Sequence, residues 1–458
     1  MKILLINPYQ TSREGNIWTK IEGAMPPLGL AYIASYLESK GIDSEIIDMN
    51  VSQGDAKTQV DKIKETPDII GITSMTSTIM NAYEIAKYLR EKFPKAKIIF
   101  GGVHPTVLPE DVLSRQYIDY VIRGEGEYSF YKFITGGDIK NIPNLSYREN
   151  NKYVHNPSGP LIDNLDTLPM PAYYKLPIKK YIPTLGSYKR LPAISMIATR
   201  GCPGKCTFCF GSFLGEKIRM HSPDYLIEEI KFLQKNHGIK EILFYDDTFT
   251  TFRHKVKEFC NKIIEQKIDI SWVCFSRVDT IDEETLKLMK KAGCHQIMYG
   301  IESGSEEILK NINKKVNKEK AKIAVQLTKK VGIECRTTYM LGNPGETEET
   351  IMQTVKFAIE LDPDIALFNI TTPFPGTAMF KWAKENGYLI SEDWSKYDLS
   401  NMVMELPTIS REKIQKYYKK VFKMFYLRPN YLLKRLFKIR SLNDLKMAFN
   451  AFLAVITH

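Results

Sequence analysis

The amino-acid sequence predicts an α/β protein built as two units of parallel sheet, joined by a linker and followed by a helical tail. Three observations predict it. Residues 1–140 alternate short apolar strands, at about 2–6, 44–48, 68–73, 97–101 and 119–123, with helical patterns. Buried strands at this rhythm imply a doubly wound, Rossmann-like sheet. From residue 191 the rhythm resumes with six strands, at 193–198, 241–245, 271–275, 296–300, 334–341 and 365–370. Residues 141–190 are rich in Pro, Asn and Tyr and lack long periodicity, as a linker would be.

In the first unit the opening strand leads into Asn7-Pro8, and its apolar run is too short for a signal peptide. The first helix begins near Pro26-Pro27, carries a stripe of Leu28, Leu30, Ile33, Ala34 and Leu37, and stops at Gly41. Ligands of such sheets sit beyond the carboxyl ends of the strands. Those ends carry Ser74, the pair Gly101-Gly102 with His104 just beyond, and the turn Arg123-Gly124-Glu125-Gly126-Glu127. Adjacent glycines let a ligand approach the backbone closely. A flavodoxin-like domain without a cofactor stays open on these residues alone.

In the second unit, residues 191–395, amphipathic helices such as 225–234 and 283–291 separate the strands. Six βα units are too few for an eight-stranded barrel and give a partial (β/α)6 barrel, whose right-handed crossovers put every carboxyl end on one rim. That rim carries Cys202, Cys206 and Cys209, then Asp246-Asp247, Arg277, Glu302 and the turn from Gly342 through Pro344 to Glu346. Three thiols at spacing C-x3-C-x2-C suit zinc or an iron–sulfur cluster, and structural zinc wants a fourth ligand that no nearby Cys or His supplies. A cluster with one open iron fits better. Cys260, Cys274, Cys294 and Cys335 fall in apolar patterns and read as small buried thiols. Charged residues recurring at strand ends are what a zwitterionic cofactor requires.

The cysteine spacing, with Phe208 before the last thiol, resembles the radical S-adenosylmethionine (SAM) superfamily. Upstream, the order Pro-Pro-Leu-Gly-Leu, Gly-Gly-Val-His-Pro-Thr and Arg-Gly-Glu-Gly-Glu resembles the cobalamin-binding domain of one class of those enzymes. The resemblance implies a [4Fe-4S] cluster on Cys202, Cys206 and Cys209. It places SAM against Asp246, Asp247, Arg277, Glu302, Gly342 and Pro344, and cobalamin against Ser74, Gly101, Gly102, His104 and Gly124. His104 stands beside the corrin or its tail, ligates cobalt, or is a structural loop residue. The Asp-x-His-x-x-Gly signature is absent, which leaves the lower ligand of cobalt unassigned, and Thr338 stands where many members have glycine. The implied chemistry is a 5′-deoxyadenosyl radical that abstracts hydrogen, followed by methylation of the unactivated carbon from methylcobalamin. The same resemblance holds anaerobic oxidative cyclisation of a porphyrin side chain, without methyl transfer, as an alternative. A non-catalytic cluster and corrinoid sensor is a third reading. The resemblance to the enzyme family assigns no catalytic side chain, and it implies a small-molecule or lipid-like substrate and an electron donor such as ferredoxin or flavodoxin.

Net charge is +11, and residues 411–458 hold twelve Lys and Arg against Glu412 and Asp444, so the body is nearly neutral. That placement argues for a local partner of the tail and against nucleic acid. No apolar run approaches the roughly eighteen residues of a spanning helix, so a cytoplasmic protein is expected. In the region 396–458 an apolar stripe of Ile414, Tyr417, Tyr418, Val421, Phe422, Phe425 and Tyr426 faces a cationic one, Pro429 ends the helix, and residues 445–456 form a second apolar segment. Either the stripe packs on the barrel, or the tail lies on an anionic leaflet and holds the enzyme at the inner face of the membrane.

Overall fold

A computed structural model describes residues 1–10, 23–211, 215, 217–437, 453 and 455. The first sheet contains β1 (Ile3–Asn7), β2 (Glu45–Asp48), β3 (Ile69–Thr73), β4 (Lys97–Gly101), β5 (Tyr120–Ile122), β6 (Leu145–Glu149) and β7 (Lys152–His155), in the order β2-β1-β3-β4-β5-β6-β7. The first five strands pair in parallel. Strand β1 shows why: Ile3 and Leu5 enter the core on one face, and Leu4 and Ile6 enter a second core on the other.

Strands β6 and β7 correct the linker reading of residues 141–190. They form an antiparallel hairpin on the edge of the first sheet, turned at Asn150 and Asn151, which both have positive φ. These strands are short and β7 is mostly exposed, so no long apolar period marks them. Beyond them the chain does cross between units, with Ala172 N–H donating to Ala31 C=O and Tyr181 Oη donating to Asp48.

The second sheet begins with β8 (Ala193–Met196). A small antiparallel ribbon of β9 (Thr199–Arg200) and β10 (Arg219–Met220) brackets the cysteine loop. Then come β11 (Glu241–Phe244), β12 (Ser271–Ser276), β13 (Cys294–Glu302), β14 (Glu334–Leu341) and β15 (Ile365–Ile370). The order β15-β14-β13-β12-β11-β8 is wholly parallel, the six-stranded partial barrel expected. Its floor is the segment before β8: Gln296 Nε2 donates to Gly186 C=O, and the Lys189 and Arg190 N–H groups donate to Glu241.

The helix Arg411–Tyr426 buries Ile414, Tyr418, Val421, Phe422 and Phe425. Phe422 and Phe425 pack on Phe368 of β15, and the Tyr426 hydroxyl both donates to Ala366 C=O and accepts from Ala366 N–H. Strand β15 is an edge of the sheet, and an uncovered edge is a template for pairing with other chains. The stripe therefore covers the barrel, which corrects the idea that it lies on lipid. Residues 445–456 fall outside the described residues apart from Leu453 and Val455. Among the described residues no helix is long and apolar enough to cross a membrane. Phe425→Ala is expected to cost about 3–5 kcal/mol by urea unfolding. A cost below about 1 kcal/mol would mean that the stripe is not core.

Candidate functional site

The cysteine loop is pinned from three sides. Thr207 N–H donates to Ile312 C=O, Met379 N–H to Thr207 C=O and Asn313 Nδ2 to Lys205 C=O. A Cβ built on Gly204 would lie 3.4 Å from Cys202 Sγ and 3.9 Å from Cys206 Sγ, and one on Gly211 would lie 3.5 Å from Cys209 Sγ and 3.7 Å from Cys202 Sγ. Three soft donors thus face one small volume at the surface, Cys209 the most exposed of them. Among the described residues no three His, Cys, Asp or Glu side chains gather around a single ion. The donor set fits a sulfur-bridged cluster, and ligation would deprotonate thiols that burial now holds protonated, Cys209 up to about 12 with Asp247 adding to the effect.

The SAM candidates ring this loop. Asp246 is buried and its Oδ1 accepts from Ala198 N–H at 2.8 Å and Thr199 N–H at 2.6 Å, while Oδ2 has no partner. Burial pushes its carboxyl up to about 7. Asp246 therefore staples the β8–β9 turn that feeds the cysteines. Asp247 is exposed beside Cys209. Arg277 is held in a fork by Asp279, at 2.9 and 2.8 Å, with Nη1 3.4 Å from the Cβ built on Gly204. Glu302 has φ 69° at a bulge between β13 and β14, a left-handed conformation rarely adopted by such a residue, and its Oε1 accepts from Lys314 Nζ at 2.9 Å. Lys314 lies near Cys206 as well, and nothing in the run Asn313-Lys314-Lys315 distinguishes it in the sequence.

Farther along the rim, the Glu346 carboxylate accepts from the N–H groups of Gly342 and Asn343, and Pro344 C=O accepts from Asn311 Nδ2. A Cβ built on Gly342 would meet Met402 and Ile414 at 3.3 Å. The C-terminal region thus reaches this turn, a contact the sequence does not signal.

The first unit holds a cavity of about 270 Å³ between its sheet and the helices Leu28–Glu38 and Glu127–Ile134, lined by Ser74, Gly101, Gly102 and Gly124 as expected. Gly102 has φ 97° and a Cβ there would lie 2.6 Å from Ser74 C=O, so only glycine leaves this approach open. His104 does not line the cavity. It is fully buried, with its ring on Thr76 Oγ1, Asp111 Oδ2 and the Trp394 ring, which corrects its assignment to cobalamin and favours the structural reading. The second unit completes the wall with Ile197 and Arg200. Arg200 donates to Glu125 and Glu127 at 2.8 Å each, and Arg219 to Glu125 at 2.9 Å, with none of the four side chains more than 7% exposed.

Residues 196–358 match the family model described as the radical SAM superfamily, and residues 17–134 match that of the B12 binding domain. The chain is 39% identical to an uncharacterized methyltransferase of Pyrococcus horikoshii, over 96% of this chain and 95% of that one. It is 29% identical to the anaerobic magnesium-protoporphyrin IX monomethyl ester cyclase of Rubrivivax gelatinosus, over 94% of this chain and 78% of the other. The solved structure of the cobalamin-dependent SAM radical enzyme OxsB shares the fold, with TM-score 0.74 at 18% identity, covering 99% of this chain and 72% of that one.

Because the folded protein holds the Asp246 proton more tightly than the unfolded chain, stability from this residue falls as pH rises from the ordinary carboxylate range to about 7. Asp246→Asn keeps an acceptor for both N–H groups and removes the charge. The variant should melt higher relative to wild type at pH 8 than at pH 5, in the cofactor-free protein, and parallel profiles would refute the assignment.

Proposed function

This chain belongs to the radical SAM superfamily, in the branch that carries a B12-binding domain, and from that premise we infer that it methylates an unactivated carbon of a small-molecule substrate. When bound, the cluster supplies the electron that cleaves SAM, and cobalamin supplies the carrier of a methyl group. The chain's own residues hold and orient these groups. Cys202, Cys206 and Cys209 give three thiolates, and the rest of the loop offers no fourth ligand. Asp247 and Arg277, on two sides of the loop, would meet the amine and carboxylate of SAM, Asp279 keeping the guanidinium aimed. Glu302, steadied by Lys314, would take the ribose, and the Gly342–Glu346 backbone would face adenine. The cavity behind Gly102 has mainly apolar sides, and Ser74, Gly101, Gly102 and Gly124 would hold part of cobalamin there. His104 is committed to Thr76 and Asp111 and would give cobalt no ligand.

One observation carries the reading: Arg200 forms a wall of the cobalamin cavity two residues before Cys202 of the cluster loop. A methyl carrier and a radical source held this close suit one substrate carbon between them. Exposure of Cys209 leaves the cluster reachable by a ferredoxin or flavodoxin. The lysines 416, 419, 420 and 423 are exposed, as are Leu433, Leu436 and Phe437 farther along the tail, and these residues would meet anionic lipid at the inner membrane surface. The likeness to the Rubrivivax cyclase favours oxidative ring closure as a second reading.

With anaerobically reconstituted protein, a strong reductant and a panel of lipid, porphyrin and peptide substrates, the product is expected to gain the mass of one methyl group. A product that loses hydrogen without that gain would establish the cyclase reading instead. Cys206→Ala should lose the cluster absorption and SAM cleavage together, and a variant that keeps both would refute the ligand set.

A further inference from the structure

A second cavity, of about 260 Å³, lies inside the partial barrel. Thr184 and Ser187 form its floor, and Val273, Phe275, Met298 and Leu367 give it apolar sides. Into it points Arg336, only 8% exposed. Its Nη1 donates to Gln296 Oε1 at 3.2 Å, and its Nε has no partner. Among the described residues three arginines are buried, and the other two, Arg200 and Arg219, are each paired with a carboxylate. Arg336 makes no such pair. Glu334, two residues earlier, is held on the far side of the Gln296 amide, whose Nε2 donates to it and to Gly186 C=O, so that Oε1 is fixed toward the guanidinium. Burial lowers the pKa of Arg336 below its ordinary value, outweighing the attraction of Tyr245, Tyr426 and the more distant Glu334.

Strand register sets the depth. Arg336 is level with Met298, and Met298 with Phe275, whereas Thr338 is level with Gly300 one layer above, about 7 Å at the usual rise of a strand. The layer above also holds Arg277, so the cavity lies directly beneath the rim that carries the cysteine loop. With Nη1 engaged on Gln296 and Nε shut away from solvent, Nη2 is the group of the guanidinium left to donate to an oxyanion in the cavity.

We propose that this well is the substrate subsite and that Arg336 binds the terminal oxyanion, a carboxylate or a phosphate, of a substrate whose apolar body rises toward the rim. That the ligand is the methyl acceptor rests on the proposed activity; the binding itself does not. Calorimetric titration of the full-length, cofactor-free protein with octanoate, octyl phosphate and 1-octanol tests it. One of the two anions should bind at least about tenfold more tightly than the alcohol, as a charged hydrogen-bonded pair provides, and the tighter one names the oxyanion. Arg336→Gln should erase the preference, and Arg336→Lys should keep part of it. Equal binding of alcohol and anions to wild type overturns the proposal even where the glutamine variant does not fold, and so does a preference that survives in folded Arg336→Gln. Anion binding through Arg336 in a protein that cleaves no SAM would sink the activity and leave the subsite standing.

Discussion

Two arginines of the barrel and two glutamates of the first unit, buried together, hold this molecule in its working arrangement. Arg200 and Arg219 sit on the two strands of the ribbon that brackets the cysteine loop, and Glu125 and Glu127 line the cavity of the first unit. Among the described residues these four side chains bring two charges of each sign together. Removing one partner of such a pair typically costs about 3–5 kcal/mol, because the other is left charged and dry. The Arg200 guanidinium also lies 5.0 Å over the Tyr32 ring, which ties the first helix to the same point. Buried pairs of this kind specify geometry more than they stabilise. Here the geometry is the placement of the cysteine loop against the cavity of the first unit.

What the sequence made legible follows from local physics. Buried strands declare themselves by apolar runs, and right-handed crossovers then gather their carboxyl ends, so Asp247, Arg277, Glu302 and Gly342 could be placed on one rim before any packing was known. Three thiols within eight residues need no tertiary information at all. Partner choice does. His104 lies just past a strand end, where a ligand contact is the natural expectation, yet the short helix Val103–Val107 turns its ring inward and Trp394, from the far end of the chain, closes over it. Lys314 and Arg336 were invisible because one cation in a lysine-rich run, or on an apolar strand, becomes distinctive only when its surroundings are dry. The β6–β7 hairpin escaped because its burial is one-sided and its strands are short.

Buried ionisable groups with an atom left unpaired are rare in native proteins and each calls for an explanation. Asp246 Oδ2, Glu229 Oε2 and Arg336 Nε are three here. Glu229, pushed up to about 8 by burial, receives a hydrogen bond from Tyr173 on Oε1, and taking a proton removes its charge from the core. Asp246 sits behind the cysteine loop and Arg336 beneath it, one prone to neutralise by taking a proton and the other unable to lose one. An arginine has no neutral form within reach at ordinary pH, and the one neutral acceptor Arg336 has, Gln296 Oε1, does not balance its charge as an anion would. This asymmetry is why the arginine, rather than either acid, marks a place for a ligand.

The tail belongs to the same economy of buried surface. Its helix seals the open edge of β15 through Tyr426 and the two phenylalanines, and Ile414, at its first turn, presses on Gly342, where the barrel was expected to meet adenine. Glycine is favoured there because its φ is 89°, and a side chain would also have to displace Met402 and Ile414 slightly. The helix is thus part of the wall around the Gly342 turn. Its lysines point outward because its apolar face points in, and their charge is left free for whatever surface the enzyme meets.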